Sequence, residues 1–135
     1  MTTALVCLLF FSCFNNRKKE YYSDGTLKSE VEIKNGKEIG LKKNYYENGE
    51  IKSEINVRDT LRHGEARFYS IKRKLESTQN YLNGKHEGLH QWFYENDKLQ
   101  TEAYYHNDSL DGELKEYYQN GKLFSDRISH FFSDR

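Results

Sequence analysis

The sequence predicts an all-β protein, an elongated antiparallel meander of about nine short strands built from 24-residue β-hairpin repeats. Three observations carry this reading. Gly40, Gly64, Gly88 and Gly112 stand 24 residues apart; Leu27, Ile51, Leu75, Leu99 and Leu123 keep the same interval, as do Tyr21, Tyr45, Tyr69, Phe93 and Tyr117. Self-similarity at a fixed period marks a repeat architecture. Between these markers the chain alternates: Leu27, Ser29, Val31 and Ile33 interleave with Lys28, Glu30, Glu32 and Lys34, the period-two pattern of a half-buried strand. Asn-Gly pairs then punctuate the alternation, because a tight hairpin turn needs positive φ and those residues accept it. No stretch sustains a helical period.

The elements follow in order. Ala4 to Phe11 is an uncharged apolar run of eight residues, too short to span a bilayer as a helix but of signal-peptide length. Ser12 and Cys13 come next, then the polar, basic stretch Asn15-Asn16-Arg17-Lys18-Lys19. This resembles a bacterial lipoprotein signal. Residues 1–12 are expected to be a signal peptide, Cys13 the lipidated residue and residues 13–20 a tether. Cleavage there removes Cys7, so no disulfide is expected. Repeats are expected at 21–44, 45–68, 69–92, 93–116 and, incomplete, 117–130, each reading as strand, turn, strand, turn, with residues 131–135 a C-terminal tail. The turn Asp24-Gly25 recurs as Asn48-Gly49 and Asn120-Gly121, but as Lys72-Arg73 and Asn96-Asp97 in the middle. Asn35-Gly36 recurs as Asn83-Gly84, whereas Asp59-Thr60 and Asn107-Asp108 lack the glycine. Same-column residues recur every second strand, about 9.5 Å apart at a strand spacing of about 4.8 Å. The tyrosine column is therefore expected to run as a ladder along the sheet.

Composition narrows the function classes. Lys plus Arg equals Asp plus Glu at 21 each, so charge alone points to no nucleic acid. Hydrophobic residues make up 36% of the chain and there are 11 tyrosines, which suits a thin sheet whose tyrosines cover apolar neighbours and keep their hydroxyls wet. Stacked repeats present an extended surface rather than a deep pocket, which favours binding over catalysis.

Candidate chemistry is sparse. His86-Glu87-Gly88-Leu89-His90 matches the H-E-x-x-H string of zinc proteases, which requires a helix. On a strand, residues four apart are separated by about 13 Å, too far for two imidazoles to share one zinc. His63, His106 and His130 fall in different columns. No catalytic residue, metal site or cofactor is expected. Phe68 and Trp92 occupy a column that holds Glu20, Asn44 and Glu116 in other repeats. That added bulk either packs a sheet closing around its middle or forms a partner-binding patch of Phe68, Trp92, Tyr94 and Tyr104, since Trp and Tyr dominate interface hot spots.

The unit Tyr-Tyr-x-Asn-Gly-x-Leu-Lys-Ser-Glu, clearest at Tyr45 to Glu54 and Tyr117 to Ser125, with Asn83-Gly84-Lys85-His86-Glu87-Gly88 for the second half, looks like the variant MORN repeat of bacterial proteins. The resemblance covers about residues 21 to 128. It implies an elongated sheet of stacked hairpins. Bacterial members are often labelled YwqK-type antitoxin components, and many others are lipoproteins of unknown role. The resulting expectation is a lipid-anchored cell-envelope protein that binds another protein through its sheet face or edge. The alternatives are an antitoxin neutralising a toxin, cytoplasmic if Cys13 is not processed, and an envelope module binding lipid or glycan through the aromatic ladder.

Overall fold

A computed structural model describes residues 16–129; the signal segment, Cys13, His130 and the C-terminal tail lie outside the described residues. The strands are β1 (Arg17–Tyr21), β2 (Leu27–Lys34), β3 (Lys37–Tyr45), β4 (Ile51–Arg58), β5 (Leu61–Tyr69), β6 (Leu75–Leu82), β7 (Lys85–His86), β8 (Gly88–Phe93), β9 (Leu99–His106), β10 (Ser109–Tyr117) and β11 (Leu123–Ser129). They form one open antiparallel sheet whose order follows the chain, with β7 and β8 both paired to β6. The meander and its repeat are as the sequence predicts.

The strand count differs from nine for two physical reasons. First, the sheet begins at Arg17, inside the segment expected to be a tether. All five residues of β1 are exposed, so no hydrophobic alternation marks them. Backbone pairing to β2 holds them, together with ion pairs from Arg17 to Glu30 (3.2 Å) and from Lys18 to Glu38 (3.3 Å). Second, β7 and β8 are one lane interrupted by a bulge, and that bulge belongs to every repeat. Val57 pairs with Arg62 and Ile55 with Ala66, so two steps along β4 match four along β5. The same excess appears between Glu32↔Ile39 and Glu30↔Lys43, and between Tyr105↔Leu110 and Ala103↔Leu114. The 24-residue glycines sit in these bulges with φ of +75°, +93°, +82° and +120°. Positive φ in a bulge is the conformation that favours glycine.

Hydrogen bonds tie most hairpin ends to a neighbouring repeat. At one end, two-residue turns carry positive φ at both positions, including Asp59-Thr60 (52° and 71°) and Asn107-Asp108 (49° and 69°), which lack glycine. The turn amides of Thr60, Gly84 and Asp108 donate to the carbonyls of Glu38, Arg62 and His86 in the preceding repeat, at 2.9, 2.8 and 3.1 Å. At the other end, five-residue turns close with the amide of Gly25, Gly49, Arg73, Asp97 or Gly121 donating three residues back. There the hydroxyls of Tyr22, Tyr46 and Tyr94 reach the carbonyls of Tyr45, Tyr69 and Tyr117, at 2.7, 2.7 and 2.8 Å. The third repeat carries Ser70 in that column, and its hydroxyl accepts the Lys74 amide within its own turn.

Strand alternation gives the sheet two unlike faces. One, the packed face, buries Val31, Ile55, Val57, Ala66 and Tyr81, with Ile33 and Phe68 against them. Ser29, Ser53 and Ser77 are buried beside them. The other face carries Glu30, Glu54, Glu102, Lys43, Arg67 and Lys115.

Gly40 tests the bulge. A Cβ there meets nothing within 4 Å, so Gly40→Ala should cost only the left-handed backbone penalty, about 1–2 kcal/mol. Urea unfolding reads this directly, and an unchanged midpoint and slope would rule out the bulge conformation.

Candidate functional site

The packed face is built from one side-chain column read across the repeats. At its ends the column is polar and bridges to the serine column. Ser29 Oγ donates to Glu20 (3.3 Å), Asn44 Nδ2 donates to Ser53 Oγ (2.8 Å), and Ser125 Oγ donates to Glu116 (2.7 Å). In the middle, Phe68 and Trp92 replace those bridges, and both pair with the buried Ser77. Phe68 leans on the apolar cluster. Trp92 stays half-buried and borders an open hollow with Thr101, Ala103, Tyr105 and Leu114.

The four aromatics expected to form one patch are not brought together. Phe68 and Trp92 share the packed face. Tyr94 stands at a hairpin end, where its hydroxyl is the inter-repeat tie to Tyr117. Tyr104 lies on the charged face, 44% exposed, because β9 turns Ala103 and Tyr105 to the packed face and alternation sends Tyr104 the other way. Its Cβ lies 3.3 Å from where a Cβ on Gly112 would stand. Tyr105 belongs to the trough instead, and the odd–even pattern of residues 99–106 already separated the two tyrosines.

On the charged face the predicted tyrosine ladder takes a different form. The rings are bridged by carboxylates: Tyr45, Tyr69 and Tyr117 donate their hydroxyls to Glu30 (2.9 Å), Glu54 (3.1 Å) and Glu102 (3.0 Å). The third of the four copies has lost both partners, with Phe93 in the tyrosine column and Thr78 in the glutamate column. The hydroxyl and the carboxylate leave together, so neither is orphaned. Burial, and then the hydrogen bond to Glu30, push the Tyr45 hydroxyl up to about 12. The same bond is the main cause holding the Glu30 carboxyl below its usual range.

The bulge also gathers a cluster that strand spacing had excluded. His86 and His90 lie on either side of Gly88, and their Nδ1 atoms are 3.4 Å apart rather than a strand's four-residue span. Equivalent bulges set Glu38 beside Lys42, at 2.9 Å. Tyr81 and Tyr105 flank the two imidazoles, with ring centroids at 4.7 Å (Tyr81–His86) and 4.6 Å (His90–Tyr105). His90 is fully buried, and burial lowers its pKa. The protease reading of this string fails on geometry all the same. The segment is strand and bulge, not helix, and Glu87 points away to His106 Nδ1 (3.0 Å) and the Asn107 amide (3.1 Å). Among the described residues, no group of three or more His, Cys, Asp or Glu side chains is placed to hold a metal. The signal that could have found the pair was Glu38 and Lys42, opposite charges at the same two positions two repeats earlier.

These features define a β-hairpin repeat protein. The MORN repeat variant model matches residues 15–35, 38–59, 87–107 and 110–127, more than half of the chain, which therefore belongs to that family. The unmatched stretch, 60–86, is the copy with Ser70 for tyrosine and Lys72-Arg73 for Asn-Gly, yet it folds as the same hairpin. The family matched is a repeat domain, not a catalytic one. No curated protein matches the chain. Among solved structures, a GtfA/B complex bound to UDP and GlcNAc is similar over 74% of this chain and 25% of that chain, at 14% identity and a TM-score of 0.39. This chain thus spans a quarter of that protein, and a likeness so slight carries no argument.

The Tyr45–Glu30 bond makes a pH prediction. An unfolded tyrosine loses its proton near 10, whereas folded Tyr45 keeps it to about 12. Between those values the folded chain holds a proton that the unfolded chain has lost, so stability falls as pH rises through the window. Tyr45→Phe should make that fall shallower in urea titrations at pH 9.5 to 12. Equal slopes in the two proteins would remove the bond from the account.

Proposed function

We propose that this chain is a non-enzymatic scaffold that binds another protein through the packed face around Trp92. The observation that supports it is the column of Glu20, Asn44, Phe68, Trp92 and Glu116. Only its central members are aromatic, and Trp92 remains half-buried although the repeat closes without it elsewhere. A large aromatic left part-exposed over a hollow lined by Ala103, Tyr105 and Leu114 is the composition of an interface centre. The hydroxyls of Tyr45, Tyr69 and Tyr117 are engaged by carboxylates, which weighs against that column as a lipid or glycan platform.

The likeness to YwqK-type members makes a toxin the favoured class of partner. The apolar run Ala4 to Phe11 followed by Cys13 supports a lipid-anchored envelope location, with the sheet held near a membrane surface.

Trp92→Ala separates binding from folding. The side chain is half-buried, so truncation should lower the melting temperature by only a few degrees. Crosslinking in the native host should lose the partner adduct at least fivefold. Full capture by a folded Trp92→Ala protein would move the interface elsewhere.

A further inference from the structure

We propose that His86 and His90 form a two-nitrogen site for a borderline divalent cation such as zinc. The first support is the distance. Zinc–nitrogen bonds are about 2.0–2.1 Å, so two nitrogens 3.4 Å apart enclose an angle of about 110° at the metal, the tetrahedral value. The bulge at Gly88 sets this spacing. In the sister copies the same two positions hold Glu38 with Lys42, Arg62 with Ala66 and Leu110 with Leu114, so paired histidines are particular to this repeat.

The second support is the state of the rings. His90 Nε2 lies 2.9 Å from the Asn80 carbonyl. A carbonyl oxygen only accepts, so Nε2 carries the proton and Nδ1 of the neutral ring keeps its lone pair. A metal-bound histidine is typically oriented this way, its second nitrogen donating to a backbone carbonyl. His86 Nδ1 then donates to His90 Nδ1. Zinc takes the place of that shared hydrogen, and the His86 proton moves to its own Nε2 by exchange with solvent. Both rings stay neutral, and no redox step is involved.

The third support is the surroundings. His90 is fully buried, and Tyr81, Tyr105 and Trp92 close around the imidazoles. Such a shell restricts the rings. The half-buried His86 marks the side on which a cation enters and on which water completes its coordination.

The test uses the full chain and zinc sulphate at pH 7.5, with competition against a chromophoric zinc chelator. Wild type is compared with His86→Ala and His90→Gln. The cysteines and the remaining histidines are common to all three, so differences report the pair. One zinc bound per wild-type chain, weakened at least tenfold in both variants, is the expected result. Equal uptake by all three proteins, or no uptake by wild type at millimolar zinc, would overturn the site. Because His90→Gln removes a buried ring and could unfold the sheet, long-range 15N imidazole spectra of the wild type supply a second arm. Zinc should shift both Nδ1 resonances while the Nε2 proton of His90 is retained. Resonances of the pair that ignore zinc would equally overturn the proposal.

Discussion

The constraint on which the structure rests is that, among the described residues, the single sheet has no second layer to bury its apolar side chains. Each side chain has to be covered by its neighbours on the same face, so the repeat must hold strand register to the residue. Two devices do this. At one end, the turn amides of Thr60, Gly84 and Asp108 donate into the preceding repeat, and at the other the hydroxyls of Tyr22, Tyr46 and Tyr94 reach 23 residues forward. Between them the glycine bulge inserts two extra residues on alternate strands. It bends the local twist and places positions four apart side by side on the packed face.

That bulge links fold to function. In the second half of one repeat it makes a charge pair, Glu38 with Lys42; in another, an imidazole pair, half-buried His86 with buried His90. Burial pushes the Glu38 carboxyl up, but hydrogen bonds and charge from Lys42 and Lys18 overcome it and hold the group below its usual range. One backbone geometry thus accepts side chains of different chemistry, provided each neighbour changes to match. The Tyr45–Glu30 pair and its Phe93–Thr78 replacement show the same rule on the opposite face. Variation between copies is consequently concerted, and Phe68 and Trp92 replace polar bridges with aromatic rings, Phe68 packed on the apolar cluster and Trp92 half-buried.

Much of this was legible in the sequence. The 24-residue period, the odd–even parity of the strands and the Asn-Gly turns fix the meander, the columns and both faces. β1 was not legible, because a strand with all its residues exposed has no hydrophobic alternation to read. The bulge was not legible from Gly40, Gly64, Gly88 and Gly112 alone, since a glycine at a strand start reads as a turn boundary. Turns without glycine were under-read for a related reason. Thr60 reaches φ 71° because Glu38 binds both its amide and its hydroxyl oxygen, a tertiary hold that local propensity does not contain. On the packed face, the shared column of Phe68 and Trp92 shows in the sequence, and both pair with Ser77. Tyr104 was grouped with them on composition where the same parity argued for Tyr105.

The most direct test of the central claim is a double-mutant cycle on Glu38→Gln and Lys42→Met, read by urea unfolding. In a regular strand these residues would stand about 13 Å apart and would not couple. Across the bulge they meet at 2.9 Å, with side chains only 11% and 26% exposed. The account predicts a coupling of about 0.5–1 kcal/mol at low salt. A coupling indistinguishable from zero would mean that the repeat glycine does not set positions four apart side by side, and the packed face as described here would not exist.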